Sequence, residues 1–403
     1  MRDKIILIFL ISSEIITYLN PFFGSIFTKL IFYSILLLLY LSKYFLLKNS
    51  KFIFKKDFFF FSFSLYIIAY FFRLIIDLYL NNISHNLYVN KFTYFFLFFN
   101  AIILPFIFLR TVNYDKLNFS TIHSVLTILL TTSVLFSFYR LVTVGIDVVQ
   151  IDSGRISANE DLDPIAFGHL GVSLFLIALH NFNNYKNSIP RLLNILLCCI
   201  GLLALAISNS RGPLVALIFI LLIYLIIKRK IRIFVFFSIT LAFILYFIEN
   251  INDFLKSYGS TFVERVMSSL FTSDIANKSS SRSSIYNLAL DKIIENPLFG
   301  DSLFIQGNYS ETQYYHNFVL ESFVGLGVLF GCLYLVIIIK SMFKAFRLLK
   351  INTQYYFISL LFFQHLIYSM FSRSVLSLPL FWVSLFLVNY IYESNKFSNK
   401  ITE

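Results

Sequence analysis

The stretch RLLNILLCCIGLLALAISNSRGPLVALIFILLIYLIIK, residues 191–228, is a long apolar run with one polar interruption. The interruption is the hexad Ser208-Asn209-Ser210-Arg211-Gly212-Pro213, whose serine, asparagine, glycine and proline residues are typical of a turn. A bilayer span needs about 20 mostly apolar residues. The stretch therefore predicts two membrane helices, at 191–208 and 212–228, joined by a turn that carries Arg211.

The rest of the chain has the same character. Of its 403 residues, 58% are hydrophobic and only 13% are charged, whereas soluble domains carry about 25% charged residues. The sequence therefore predicts an all-α polytopic membrane protein with about twelve transmembrane helices. The predicted spans are 4–20, 26–47, 58–80, 92–110, 121–143, 164–182, 191–208, 212–228, 231–249, 316–340, 354–372 and 375–392.

The net charge of +12 would suggest a nucleic-acid partner in a soluble protein. Here the lysines and arginines cluster in short loops after even-numbered spans, as in Lys228 to Arg232 after span 8. Basic residues in short loops mark the cytoplasmic side. We therefore expect a multi-pass membrane protein with both termini in the cytoplasm, and we expect no nucleic-acid partner.

Three regions follow from this topology. Residues 1–249 hold spans 1 to 9, residues 250–315 form a large outer loop with short helices, and residues 316–403 hold spans 10 to 12 and a short cytoplasmic tail. Within the loop, apolar residues at helical spacing predict a helix over Ser284 to Glu295. Asn296-Pro297 should end that helix, because the residue before a proline is driven out of the α region.

Four arginines oppose the expected topology, because they lie outside or at the outer ends of spans. A guanidinium forms two parallel hydrogen bonds with a phosphate, so one shared anionic ligand accounts for all four. Arg211 lies beside a helix N-terminus, which itself favours anions. Surface residues or ion pairs with Asp or Glu are the alternative. The four are Arg155, Arg211, Arg282 and Arg373.

His316 is the strongest candidate for acid–base chemistry. It lies where the outer loop enters span 10, between Tyr315 and Asn317. A histidine there can act as a general base near neutral pH, although an interfacial histidine without chemistry is the alternative. Glu321 lies five residues further into the span. An ionisable residue inside a span is a functional candidate, and it could orient His316 or pair with one of the arginines.

Metal and cofactor motifs are missing from the sequence. The histidines show no trusted metal-ligand spacing, and there is no HExxH, no GxSxG and no P-loop. We therefore expect no metal ion and no cofactor.

Several of these pieces together resemble the O-antigen polymerase and O-antigen ligase superfamily of bacterial envelope enzymes. The match in order and spacing covers roughly residues 150–335. It consists of Arg155 with Asp163-Pro164, Asn209-Ser210-Arg211-Gly212, Arg282 with Tyr286 and Leu288, Asn296-Pro297-Leu298-Phe299-Gly300, His316-Asn317, and Glu321 with Gly325, Gly327 and Gly331.

The resemblance implies a lipid-phosphate-sugar-type, GT-C-like glycosyltransferase. Such enzymes use an undecaprenyl-diphosphate-linked oligosaccharide at the outer face of the inner membrane. By resemblance, Arg211 and Arg282 hold the diphosphate and His316 activates the acceptor. Arg155, Arg373, Glu321, Asn317 and Tyr315 are the expected substrate-binding residues. Further expected partners are membrane lipid, a chain-length regulator and a flippase.

Three functions remain open from the sequence. The first is a polymerase that moves a glycan onto a lipid-linked repeat unit, which the glycine spacing after His316-Asn317 favours. The second is a ligase that moves the glycan onto lipid A core. The third, from another class, is a polysaccharide flippase or transporter. A transporter usually shows internal pseudo-symmetry, and no two halves of this sequence align.

Overall fold

A computed structural model of the chain describes most of its residues. The described residues are 2–12, 34–42, 57–81, 91–114, 117–144, 150–151, 155–156, 163–183, 190–208, 210–228, 253, 280–305, 314–351 and 353–402. The predicted span at 231–249 lies outside them.

The chain divides into two compact units, and each unit combines segments that are distant in the sequence. Unit 1 consists of Met1–Ser42, Asn113–Thr272 and Phe346–Ile367. Unit 2 consists of Lys43–Val112, Ser273–Ala345 and Tyr368–Glu403.

Nearly all described residues are helical. The helices are α1 (Arg2–Ile11), α2 (34–42), α3 (Phe58–Ile75, continued by a π-helical turn Ile76–Leu80), α4 (Lys91–Phe98, a π-helical turn Phe99–Ile103, then Leu104–Arg110), α5 (Phe119–Val144), α6 (Pro164–Asn183), α7 (Arg191–Ile207), α8 (Arg211–Lys228), α9 (Ser280–Glu295), α10 (Phe318–Ile351), α11 (Tyr356–Phe371) and α12 (Pro379–Thr402). A short 3₁₀ helix, Thr353–Tyr355, precedes α11, and two strands, β1 (Gln150–Ile151) and β2 (Arg155–Ile156), pair antiparallel.

In unit 1, α6 is the most enclosed of the candidate spans, with 78% of its apolar window buried. It packs closely on α7 at a pair of glycines. A Cβ atom built on Gly171 would lie 2.6 Å from the carbonyl oxygen of Gly201. Small residues at such crossings let membrane helices approach each other and gain dispersion contacts.

In unit 2, aromatic side chains hold α3, α4 and α12 together. The ring of Phe63 lies 4.9 Å from the rings of both Phe106 and Phe386. The Tyr390 hydroxyl donates a hydrogen bond to the Phe106 carbonyl oxygen at 2.9 Å. The high phenylalanine content of the sequence therefore supplies a packed core here.

Helix α10 is broken at Gly327, whose φ of 77° and ψ of 176° are not helical. The predicted span at 316–340 corresponds to the candidate span Phe318–Lys350, but the sequence did not predict the interruption at Gly327. The chain folds back at the break, because a Cβ on Gly331 would lie 2.5 Å from the ring of Phe323. An uninterrupted α-helix would separate these two residues by about 12 Å along its axis.

The predicted polar turn in 208–213 is confirmed, since α7 ends at Ile207 and α8 begins at Arg211. Two short strands are an exception to the predicted all-α class. Among the described residues, five helices are long and apolar enough to cross a membrane and three apolar helices are shorter, so the count of twelve stays a prediction. The predicted spans whose bounds lie within two residues of a described helix are 58–80, 92–110, 121–143, 164–182, 191–208, 212–228 and 354–372.

Candidate functional site

The outer-loop helix predicted from Ser284 is α9, and it begins four residues earlier, at Ser280. It ends at Glu295, as Asn296-Pro297 predicted. Its inner face forms a small hydrophobic core in which Ile285 and Ala289 are buried against Tyr315 and Val324. This core fixes α9 against the segment that carries His316.

The turn after α9 fits into the break in α10. Gly300 and Gly327 both have a positive φ, of 72° and 77°. A Cβ on Gly300 would lie 2.5 Å from the backbone of Gly325, and one on Gly327 would lie 2.3 Å from the carbonyl oxygen of Leu298. Only glycine fits at such approaches, which explains why the turn and the break are rich in glycine.

Two backbone hydrogen bonds close this contact. The amide of Val328 donates to the carbonyl oxygen of Pro297, and the amide of Asp301 donates to the carbonyl oxygen of Val324, both at 2.7 Å. The groups at Val324 and Val328 lie on either side of the helix break. An unsatisfied backbone group inside a membrane costs several kcal/mol. The turn therefore supplies partners that the interrupted helix lacks.

A polar stripe runs along α3 beside these elements. Its four residues follow the spacing i, i+4, i+7 and i+11, which places them on one face of the helix. Each of them bonds within unit 2. They are Tyr66, Tyr70, Arg73 and Asp77.

Asp77 anchors the chain that follows the turn. Its carboxylate accepts hydrogen bonds from the Leu303 amide at 2.7 Å and from the Ser302 hydroxyl at 3.3 Å. Arg73, one helical turn earlier, forms an ion pair with it at 2.9 Å. Asp77 is fully buried, and pairing is what makes a buried carboxylate tolerable.

Glu321 is also buried and joins three segments. Its carboxylate accepts hydrogen bonds from the Tyr70 hydroxyl at 2.9 Å and from the Val375 amide at 3.1 Å. The described residues show no ion pair of Glu321, and the side chains of Arg155 and Arg282 lie outside them, so the pairing of Glu321 with an arginine stays a prediction. Next to it, the Ser322 hydroxyl lies 2.8 Å from the Tyr66 hydroxyl.

Asn317 connects the loop at 314–317 to the end of α11. Its side-chain oxygen accepts hydrogen bonds from the amides of Val319 and Leu320, at 2.9 and 3.1 Å, and so caps α10. Its side-chain nitrogen donates to the Met370 carbonyl oxygen at 3.1 Å. The loop at 314–317 is therefore fixed beside the loop that follows α11.

His316 and Arg373 are the two non-glycine residues with a positive φ among the described residues, at 54° and 80°. This conformation is strained for side chains other than glycine. Strain of this kind persists only where the surroundings enforce it, and it concentrates at functional sites. The two residues lie on the two loops that Asn317 and Glu321 join.

The environment of these two side chains is aromatic and half-buried. The His316 ring lies 4.3 Å from that of Tyr314. The Arg373 Nε donates a hydrogen bond to the Tyr368 hydroxyl at 2.9 Å. An imidazole and a guanidinium held in this way suit a base and an anion clamp.

Tyr315 is nearly fully buried in the core under α9. Burial raises the pKa of its phenol above the ordinary value of 10.0, and the nearby carboxylates of Asp301, Glu321 and Asp77 raise the pKa further. The phenol is therefore neutral at physiological pH. Its position supports a packing role beside His316, while the predicted substrate contact stays a prediction.

The structure brings together five of the predicted residues in unit 2. They are Tyr315, His316, Asn317, Glu321 and Arg373. Arg282 belongs to the same unit and is the third residue of α9, close to the predicted helix start. The side chain of Arg282 lies outside the described part of the structure.

The other two arginines belong to unit 1. Arg211 is exposed and is the first residue of α8, at the helix N-terminus that the sequence predicted. Pro213 follows in the first turn and packs against α6, where a Cβ on Gly168 would lie 2.7 Å from its ring. Arg155 lies on β2, and its side chain is outside the described part.

Arg73 and Asp77 are residues of the site that sequence reasoning missed. Both are ionisable and lie inside the predicted span 58–80 with a spacing of four. The same rule that selected Glu321, that an ionisable residue inside a span is a functional candidate, applies to both. Their spacing also indicated an ion pair on one helix face.

Comparison with known proteins supports the resemblance. Residues 196–336 match the family described as O-antigen ligase. This region contains Arg211, Arg282, His316 and Glu321, and the match supports the O-antigen polymerase and ligase superfamily. The family supports O-antigen polymerase or ligase activity in general, a glycosyl-transfer reaction. No curated protein matches the chain.

Proposed function

We propose that this chain, as a member of the O-antigen polymerase and ligase superfamily, transfers a glycan from a polyprenyl diphosphate to a sugar hydroxyl at the outer face of the inner membrane. The acceptor proposed first is a lipid-linked repeat unit, which makes the protein a polymerase. The donor lipid is undecaprenyl diphosphate, as in the resembling family.

The proposed reaction is a single group transfer. The acceptor hydroxyl oxygen attacks the anomeric carbon of the donor sugar, and the bond from that carbon to the diphosphate oxygen breaks. The hydroxyl proton passes to His316, and the diphosphate leaves with the bonding electrons on its lipid. A general base and cationic groups at the developing negative charge lower such a barrier.

The main support for this proposal is that two strained residues lie on loops that are joined by hydrogen bonds. His316 and Arg373 both have a positive φ, and two hydrogen bonds, from Asn317 to Met370 and from Val375 to Glu321, tie their loops together. A base and a cation on two joined rigid loops are what transfer from a diphosphate needs.

The remaining arginines are proposed to bind the diphosphate. Arg211 is exposed at the first position of α8, where the free amides of a helix N-terminus add to its charge. Arg282 is the third residue of α9. Arg155 is assigned a supporting contact with the anionic part of the donor.

A ligase is the second candidate, because the matching family is described as O-antigen ligase. Its chemistry is the same, and the acceptor is lipid A core instead of a lipid-linked repeat unit. The acceptor therefore decides between the two.

The test is the surface polysaccharide of cells that carry Arg211→Ala, Arg282→Ala or His316→Ala. Each variant should reach the membrane in normal amounts and yield no long chains. Arg191→Ala is the matched control, because Arg191 is also an exposed first residue of a membrane helix but is predicted to lie on the cytoplasmic side. Long chains in all three test variants would refute the catalytic assignment.

Deleting the whole protein separates the two candidates. A single repeat unit on lipid A core indicates a polymerase. Lipid-linked polymer that accumulates without attachment to lipid A core indicates a ligase. Substrate retained on the cytoplasmic face would overturn both and indicate a flippase.

A further inference from the structure

The surface of helix α9 divides into three faces. One face is buried in the core described above. A second is polar and exposed, and Asp291 lies on it. The third is apolar and exposed, with Leu290 at 52% and Ile294 at 76% of full exposure.

The turn that follows extends the third face. Leu298 and Phe299 are 72% and 85% exposed, and Phe299 is among the most exposed large apolar side chains of the described residues. Phenylalanine and leucine in water-facing turns are unfavourable by roughly the transfer energy of their whole side chains. A contiguous exposed apolar surface of this kind marks a membrane or protein contact.

The depth of the turn in the membrane favours a contact with lipid over a contact with another protein. The turn bonds to α10 through the Val328 amide and the Pro297 carbonyl oxygen at 2.7 Å. Lys340 is the first basic residue on α10. Val328 lies about 18 Å from it along the helix axis, at a rise of about 1.5 Å per residue. A tilted helix would make the distance along the membrane normal shorter. The hydrocarbon core is about 30 Å thick, so the turn lies within that thickness.

The neighbouring surface of α10 is apolar as well. Val328 is 40% exposed and Leu329 is 71% exposed, and both belong to the candidate span Phe318–Lys350. The exposed face of the turn is therefore continuous with a face that a membrane span presents to lipid.

The backbone of the turn is suited to this place. Irregular backbone is tolerated at membrane depth where its polar groups are bonded within the protein. Within the turn, the amides of Asn296 and Gly300 donate to the carbonyl oxygens of Lys292 and Asn296, at 3.0 and 3.1 Å, and the Pro297 carbonyl oxygen accepts from the Val328 amide at 2.7 Å. Nearby charges are also paired, since the Lys292 ammonium lies 3.3 Å from Glu295 and 3.4 Å from Asp301.

We propose that the C-terminal half of α9 and the turn 296–300 form a re-entrant element whose apolar face contacts the acyl chains of the outer leaflet. Residues 250–315 are then not wholly an extramembrane loop. The contact residues are Leu290, Ile294, Leu298 and Phe299.

The experiment measures the depth of single labelled cysteines in the full-length protein. Cys198, Cys199 and Cys332 are first replaced by alanine, and bimane is then attached to Phe299→Cys, Ile294→Cys or Asp291→Cys. The protein is reconstituted in phosphatidylcholine and phosphatidylglycerol vesicles. One set of vesicles carries doxyl groups on the acyl chains, and another receives aqueous iodide.

Labels at 299 and 294 should be quenched severalfold more by the acyl-chain doxyl groups than by iodide. The label at 291, on the polar face of the same helix, should show the reverse order. Equal iodide quenching at all three positions would overturn the proposal in favour of a water-exposed loop. Weak quenching by both agents at 294 and 299 would overturn it too, because another part of the protein would then cover the face.

Discussion

The amide of Val375 donates a hydrogen bond to the carboxylate of Glu321 at 3.1 Å, and these two residues are 54 positions apart. The other oxygen of that carboxylate accepts from Tyr70 at 2.9 Å. One buried side chain thus joins α3, α10 and the loop before α12. The loop holding Arg373 depends on Glu321 for its position.

Tyr70→Phe should lower the free energy of unfolding by about 1–3 kcal/mol, because it leaves a buried carboxyl oxygen of Glu321 without its hydrogen-bond donor. Tyr66→Phe is the matched control. It removes a hydrogen bond to the neutral Ser322 hydroxyl and should cost about 0.5–1.5 kcal/mol. Thermal unfolding in detergent compares the two. An equal loss in both variants would mean that the hydrogen bond to Glu321 contributes no more stability than the hydrogen bond to Ser322.

His316→Gly should be more stable than His316→Ala by about 1 kcal/mol, because glycine adopts a positive φ without a Cβ clash. Both variants lack the imidazole, so both should form no long glycan chains. Unfolding temperature and polysaccharide banding measure the two effects separately. If the alanine variant were the more stable, the left-handed geometry at 316 would be wrong.

Gly327→Ala should destabilise the protein by about 2–5 kcal/mol, since it adds backbone strain and a Cβ contact with Leu298. Gly212→Ala is the control, because a Cβ on Gly212 would meet no atom within 4 Å. The control should stay within about 0.5 kcal/mol of the parent protein. Comparable losses at both positions would contradict the tight fit between the turn and the break.

Asp77→Ala should cost about 3–5 kcal/mol, because it leaves the Arg73 charge without its carboxylate partner. Adding Arg73→Met to that variant should recover part of the loss, since it removes the uncompensated charge. Expression level and unfolding temperature report on both. A double variant less stable than Asp77→Ala would show that Arg73 has a second role.

Between pH 8 and 11, the stability of Tyr315→Phe should fall less steeply with rising pH than that of the parent protein. The pKa of Tyr315 is raised in the folded protein, so folding favours the protonated phenol. That contribution is complete below the ordinary pKa of 10.0 and is lost as the pH rises above it. Unfolding temperature measured from pH 8 to 11 should fall less steeply in the variant. Parallel curves would show that the phenol titrates normally.

The parts of the fold that depend on local pattern were predictable from the sequence. The apolar run at 58–80 and the polar turn at 208–213 carry their own signals of span length and turn composition. Asn296-Pro297 likewise ended α9 where the steric restriction before proline requires it.

The break at Gly327 was not predictable in the same way. A glycine inside an apolar run is compatible with a membrane helix, and what breaks this one is a contact with Leu298, 29 residues earlier. The cluster of polar residues in unit 2 was predictable in part, because His316, Asn317 and Glu321 stand out as polar residues at the edge of a span. Their connection to Arg373 depends on tertiary hydrogen bonds that no local pattern encodes.

The close fit between the turn and Gly327 also constrains how the protein is made. Residues 297–301 leave the ribosome before 324–328, so the turn is already available when the interrupted helix enters the bilayer. We therefore expect the two segments to insert as a pair, which spares the broken helix any period with unsatisfied peptide groups in lipid.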